Sequence, residues 1–322
     1  MARTSQHSCG TPSRDREGTE IQYDANTTTQ LLGVAADVLL AIGDPGILHH
    51  VAIVGGLVPT LMAYEGLTPS SGQHIGTGDL DLHLTLELLE GNTSEYYGNV
   101  IAALRRLGLD VVQEQGRDRR WRWQGRHRDV FLTVELLSPT RTHPAGSPQA
   151  LPAAGTRAQS SVGDADDIRT LGLDFGHLVH IDRAKVARTV ETRDGTLPDF
   201  AFPIAGIASW LALKVDALDK RDKSKDAYDV VWLLECLGPR EAAQRTDASA
   251  LWTSAHRDDL AGQLDRLEVI FAQPDHVGPG RYARFLQELG YPPLRAGDIT
   301  EARLRRDAVE IVAAFTRARA QR

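Results

Sequence analysis

An α+β fold is predicted, a mixed sheet with flanking helices followed by a helical C-terminal part, and three observations in the chain predict it. Short apolar or alternating runs of strand length recur between residues 50 and 192, interleaved with stretches of helical period. Two β-prone runs, Arg119–Trp123 and Val130–Leu136, follow each other closely enough to form a meander. From Pro203 onward the apolar residues recur at helical spacing alone.

The elements follow in order. Residues 1–24 are rich in Ser, Thr, Gly and charge, lack hydrophobic periodicity and read as a disordered leader. Asn26 or Thr27 is placed to cap a helix carrying Leu31, Leu32, Val34, Ala35, Val38 and Leu39, closed by Gly43-Asp44-Pro45. His50–Val54 is a short buried strand that runs into Gly55-Gly56 and then a helical segment from Pro59 to Tyr64, where proline is tolerated in a first turn. Asp79–Leu84 alternates polar and apolar residues strictly, as a half-buried strand does. Ser94–Leu107 reads as a helix and Val111-Val112 as a strand, with the meander turning at Gly116 and Gly125. From Ser138 to about Asp167 the chain fills with Pro, Gly, Ala and Ser, the composition of a surface insertion. Short strands are expected at Leu178–Ile181 and Val186–Thr192. Ile204, Ile207, Leu211, Val215 and Leu218 open the helical part, which closes in an amphipathic helix from Ile299 to about Arg319. The organisation is a leader (1–24), an α/β core (25–197) with an insertion at about 138–167, and a helical part (198–322).

With 322 residues and 42% hydrophobic content the chain can bury a substantial core. It contains no run of about 18 uninterrupted apolar residues, which excludes a transmembrane helix on length. The polar N-terminus lacks the apolar stretch of a secretory signal, so a cytoplasmic location is expected. Cys9 and Cys236 give neither a disulfide framework nor a zinc-ligand spacing. A net charge of -7 argues against a protein that coats nucleic acid and leaves a local groove open.

Four sets of residues carry chemistry. Gly55-Gly56 joins a strand to a helix, where free amides attract phosphate and glycine lets a ligand approach the backbone; a tight structural connection is the plainer reading. Asp79 and Asp81, two apart on a strand, project to the same face, and a divalent cation relieves their repulsion. Glu135 is an acid inside an apolar, β-branched run, costly unless it has a partner; it is either a third ligand for two Mg²⁺ ions or the mate of a nearby arginine. Lys214 interrupts Trp210-Leu211-Ala212-Leu213, with Arg221 two helical turns on, so the two cations are candidates for holding β- and γ-phosphates. Lys225, Asp226 and Asp229 follow, the acids at i and i+3 on one face and able to orient Lys214. Arg117 to Arg128, with Trp121 and Trp123 interleaved, is either an RNA-stacking surface or a hairpin with tryptophans inward and arginines outward. His49, His50, His83, His177 and His180 show no ligand spacing; His83 shares the face of the aspartates and reads as a structural histidine.

In order, Gly55-Gly56, Thr77-Gly78-Asp79-Leu80-Asp81-Leu82, Lys214 with Arg221, and Lys225-Asp226-Ala227-Tyr228-Asp229-Val230 resemble the AbiEii/AbiGii-type nucleotidyltransferase toxins, over about residues 50 to 235. The resemblance implies a DNA polymerase β-like palm with a helical C-terminal part that completes the active site. It also implies Asp79 and Asp81 as metal ligands, Lys214 on the triphosphate, and Asp226 as a further active-site acid. With the reading of the residues this gives Asp79, Asp81, Lys214 and Asp226 as catalytic, Gly55, Gly56, Thr77, Lys214 and Arg221 as nucleotide-binding, and Asp79, Asp81 and Glu135 as metal-binding. The expected cofactor is Mg²⁺ or Mn²⁺ and the substrate an NTP; the expected acceptor is a hydroxyl of RNA, above all tRNA, and the expected protein partner a cognate antitoxin. The same site would serve nucleotidylation of a small molecule such as an aminoglycoside, or of a protein, and a non-catalytic nucleotide-binding module is a third reading. Leu57 stands where family members usually carry Ser or Thr, with Thr60 and Thr77 the hydroxyls nearest in sequence.

Overall fold

The computed structural model describes residues 13–14, 20–21, 25–43, 48–63, 74–75, 77–84, 94–128, 130–140, 148–150 and 169–321. The leader at 1–24 and the insertion at 138–167 therefore lie largely outside the described residues. Helix α1 (Ala25–Ile42) leads into β1 (Val51–Val54), a 3₁₀ turn at Gly55–Leu57, and the short helix α2 (Val58–Met62). Strand β2 (Asp79–Leu84), helix α3 (Ser94–Arg106) and strands β3 (Leu109–Glu114), β4 (Arg117–His127) and β5 (Val130–Pro139) follow. Next come β6 (Pro148–Ala150), β7 (Arg169–Leu173), the short helix α4 (His177–Ile181), and the long hairpin β8 (Arg183–Thr192) and β9 (Gly195–Ala205).

The rest is helical: α5 (Ile207–Lys220), α6 (Ser224–Leu237), α7 (Pro239–Asp247), α8 (Arg257–Ile270), α9 (Val277–Glu288), α10 (Pro292–Ala296) and α11 (Glu301–Ala320). The mixed α+β class and the helical C-terminal part are thus as the sequence predicts.

Among the described residues nine strands form one mixed sheet in the order β8-β9-β1-β2-β5-β4-β3, with β7 on β5 and β6 on β7. β1 is buried along its whole length because it is central, antiparallel to β2 and parallel to β9. β2 in turn runs parallel to β5. The period-2 pattern decides which face is which: Leu80, Leu82 and Leu84 of β2 and Leu132, Val134 and Leu136 of β5 are buried in the core with Leu31, Val34 and Val38 of α1. α1 stops at Gly43, whose φ of 71° ends the helix while its N–H still reaches Leu39 O at 3.1 Å.

Three local expectations are corrected. Gly125 is inside β4 rather than at a turn, because a Cβ there would stand 2.2 Å from Gly108 O of the neighbouring chain segment. The turn between β4 and β5 lies beyond it, at Arg128 with φ 52°. Leu178–Ile181 belongs to helix α4: Leu178 and Val179 are both buried, a pattern that two consecutive strand residues on a half-exposed sheet would not give. Finally, helix α5 starts at Ile207, and Pro203 and Ile204 close β9 opposite Lys185 and Ala184. The alternation Phe200, Phe202, Ile204 is the period that wins there.

Candidate functional site

The site begins at the strand-to-helix turn. Gly55 has φ 71°, a conformation open to glycine at no steric cost, and a Cβ there would lie 1.8 Å from Asp81 Oδ2. A Cβ on Gly56 would lie 2.9 Å from Lys225 Nζ and 3.0 Å from Thr77 Cβ. Both glycines thus let strand β2 and helix α6 close on the turn. Trp210 of α5 donates its indole N–H to Gly55 O at 2.9 Å and fixes the helical part against it. Thr77 Oγ1 accepts the Asp79 N–H at 3.2 Å, setting the entry into β2.

Pairing then assembles the acids. Asp79 and Asp81 share one face of β2, and the parallel register puts Asp81 opposite Glu135 of β5. Arg122 of β4 is the antiparallel partner of Glu135 on its other side, with Nε 3.4 Å from Oε1. Glu135 therefore stands both with the aspartates and beside an arginine. Burial, then Asp79, push the Asp81 carboxyl up to about 6, against the pull of Arg221, Lys214 and Lys223. Burial, then Asp81 and Asp79, push Glu135 up to about 8, with Arg122 opposing. Crowded carboxylates that resist ionisation fit a divalent cation. Their ligand atoms form an open set, since among the described residues His177, His256 and Asp259 alone bring three such atoms within 4.8 Å of one another. An open set of hard oxygens suits Mg²⁺, which takes one or two carboxylates and completes its shell with water and phosphate oxygens.

Opposite the acids, α5 and α6 carry a buried charge network. Lys214 Nζ donates to Asp226 Oδ1 and to Asp229 Oδ2, each at 2.7 Å. Asp226 also accepts from Arg221 Nε at 2.9 Å, and Asp229 from Lys225 Nζ at 2.6 Å. Burial would lower the Lys214 ammonium, but Asp226 and Asp229 outweigh it and raise it to about 12. For Asp226 the upward push of burial is overcome by Lys214 and Arg221, which hold it down at about 2. Asp229, facing Lys214 and Lys225, is also held well below the usual carboxylate range despite its burial. Lys225 moves the other way, lowered chiefly by burial.

His74 completes this network. Its Nε2 is 3.0 Å from Asp229 Oδ1 and its Nδ1 is 2.9 Å from Thr60 Oγ1. Burial pulls the imidazole down to about 4 although Asp229 pulls it up, so it is neutral at pH 7. The neutral tautomer that satisfies both contacts donates from Nε2 to Asp229 and accepts the Thr60 hydroxyl at Nδ1. Next to it, Tyr228 OH accepts the Ile75 N–H at 3.2 Å. Lys214 spends two of its three N–H groups on aspartates, and Arg221 two of its five on Asp226, leaving donors for an anion.

The structure thus brings Gly55, Gly56, Thr77, Asp79, Asp81, Glu135, Lys214, Arg221 and Asp226 to one region where sheet and helices meet. Sequence reasoning missed His74 and Lys223, for which no local pattern exists. In the Arg117–Arg128 segment, Trp123 is buried and Arg122 turns to Glu135, while Arg117, Arg126 and Arg128 are exposed. His83 is buried with no hydrogen-bond partner for either ring nitrogen among the described residues, and burial pulls it down to about 3. Leu57 is fully buried and serves the core. Among the described residues no helix is long and apolar enough to cross a membrane.

Two comparisons with known proteins complete the description. A family model described as "Nucleotidyl transferase AbiEii toxin, Type IV TA system" matches residues 77–310, which spans the acids of β2 and β5 and the network on α5 and α6. No curated protein matches the chain.

Proposed function

The chain belongs to the AbiEii family of nucleotidyl transferase toxins of type IV toxin–antitoxin systems, and from that premise we propose that it moves a nucleoside monophosphate from an NTP to a hydroxyl of RNA, most of all tRNA, where Asp79, Asp81 and Glu135 meet the Lys214 network. The observation that carries this reading is the meeting of two opposed charge sets: acids on the sheet that resist ionisation, and Lys214 and Arg221 across from them, both of which bear on Asp81. A metal-chelated triphosphate has the charge pattern that fits between the two.

Asp79, Asp81 and Glu135 would hold Mg²⁺ or Mn²⁺, which when bound orients the triphosphate and stabilises charge developing at the α-phosphorus. The chain's own part is positioning and charge. The amides of the Gly55-Gly56 turn and the spare N–H groups of Lys214 and Arg221 face the β- and γ-phosphates. Asp226 and Asp229 keep Lys214 extended and protonated, and Thr77 sets the strand that presents Asp79. Arg122 limits the repulsion at Glu135. The exposed Arg117, Arg126 and Arg128 supply phosphate contacts for an RNA acceptor near the same sheet.

Incubating the protein with NTPs labelled at the α-phosphate, Mg²⁺ and mixed tRNA tests the acceptor. Label on tRNA is expected; label on an aminoglycoside or on protein but not on tRNA would overturn the RNA assignment. The family's antitoxin implies a protein partner, and its co-expression is expected to silence the transfer in cells.

A further inference from the structure

We propose that His177, His256 and Asp259 form a second cation site, separate from the acids of the sheet, that takes Zn²⁺ and ties α4 to α8. His177 is far in the chain from the other two: it opens α4, whereas His256 immediately precedes α8 and Asp259, three residues on, lies in the first turn of α8. The fold converges them on a single oxygen. His177 Nε2 is 2.9 Å and His256 Nδ1 3.4 Å from Asp259 Oδ2, and the two imidazole centroids are 4.5 Å apart. One ligand atom from each of the three lies within 4.8 Å of the other two.

These separations have the scale of coordination. Around tetrahedral zinc, with bonds of about 2.0–2.1 Å to nitrogen and oxygen, neighbouring ligand atoms stand about 3.3 Å apart. Both gaps to Asp259 are near that value, so a cation seated among the three needs the imidazoles to move little. Two imidazoles and a carboxylate are a borderline donor set that selects zinc over magnesium, whereas the all-oxygen set on the sheet selects the reverse. All three side chains are 33–43% exposed, so water has access to a fourth position and the cation has an entry path.

The placement gives the site a consequence. α8 packs on α5, to which it is joined by the ion pair between Arg266 and Asp219, and α5 carries Lys214. On the other side α4 connects β7 to β8 of the sheet. A cation between α4 and α8 braces the helix bearing the phosphate-facing lysine against the sheet bearing the acids. A hydrogen-bonded cluster without a cation would hold the same three residues, and metal titration separates the two.

Chelator-stripped full-length protein is titrated with Zn²⁺, and in parallel with Co²⁺, in excess Mg²⁺. Wild type, His256→Ala, Asp259→Asn and Asp81→Asn are compared. The wild type is expected to bind one Zn²⁺ that excess Mg²⁺ does not displace, with a raised thermal midpoint, and to show the strong visible absorption of four-coordinate Co²⁺. His256→Ala and Asp259→Asn should weaken zinc binding at least about tenfold, while Asp81→Asn leaves it in place. Because His256 and Asp259 are partly exposed, both variants should keep the wild-type circular dichroism spectrum without zinc. Equal zinc affinity in wild type and His256→Ala, displacement by Mg²⁺, or only the weak spectrum of six-coordinate Co²⁺ would each overturn the site.

Discussion

Replacing Lys214 by methionine is expected to cost the fold about 3–5 kcal/mol, the range for removing one partner from a buried ion pair. Lys214 is 5% exposed, and its loss leaves Asp226 and Asp229, themselves buried, with Arg221 and Lys225 as their remaining cations. An independent figure comes from Asp226, whose pKa falls from 3.8 to about 2 in the folded chain. At about 1.4 kcal/mol per unit this corresponds to roughly 2–3 kcal/mol of stability at pH 7. The sign is that of a depressed acid: the contribution is fully present above 3.8 and is lost as pH falls through about 2. Lys214 supplies the largest favourable share of it, so the methionine variant should forfeit most of that stability at pH 7. Urea unfolding at pH 7 gives the measurement, with an unchanged m-value showing that the unfolded state is not what moved. The double variant Lys214→Met/Asp226→Asn should be less destabilised than the sum of the singles by about 1–3 kcal/mol. A loss below about 1 kcal/mol for Lys214→Met, the range of exposed pairs, would refute the buried-network reasoning.

Asp81→Asn should do the opposite to stability in metal-free protein: it removes a charge that burial, then Asp79, disfavours, a cost fully present above pH 6 and absent below 3.8, so stability at pH 7 should rise by up to about 3 kcal/mol and the thermal midpoint with it. Its activity should vanish. Gly55→Ala should lose at least about 1–2 kcal/mol from its left-handed backbone alone, and transfer should fall further because the new Cβ displaces Asp81, which thermal melts and initial rates will report together. His74 has a folded pKa of about 4 against 6.5, so the stability tied to its neutral form is whole above 6.5 and lost as pH falls toward 4. His74→Gln, which keeps a donor for Asp229 and an acceptor for Thr60, should flatten the pH dependence of unfolding between 6.5 and 4.

How much of this was legible follows from the range over which each signal acts. Strand alternation placed Asp79 and Asp81 on one face, and helix spacing placed Lys214 with Arg221 and Asp226 with Asp229, because both periods are local; that Lys214 meets both acids comes from packing α5 on α6. Glu135 stood out as an acid in an apolar run, but its position opposite Asp81 is set by parallel pairing across some fifty residues of sequence, which no window shows. His74 meets Asp229 across 155 positions and left no trace at all. The same holds for the meeting of His177, whose spacing gave no ligand pattern, with His256, which comes from packing α4 on the start of α8. Leu178–Ile181 was misread because a four-residue, mostly apolar run has the length of either a strand or a single helical turn, and only its two adjacent buried residues settle which. Gly125 was taken for a turn because glycine marks both turns and close backbone approaches, and here Gly108 supplies the approach.

The central claim is that the acids of β2 and β5 and the Lys214 network together serve transfer at the α-phosphorus. Paired reactions with α-labelled and γ-labelled NTP, Mg²⁺ and tRNA test it most directly, run on wild type, Asp81→Asn and Glu135→Gln. Wild type is expected to put the α-label, and no γ-label, onto RNA, with both variants reduced to background while still folded. Transfer of the α-label by Asp81→Asn at the wild-type rate, or no transfer by the wild type to any acceptor, would contradict it.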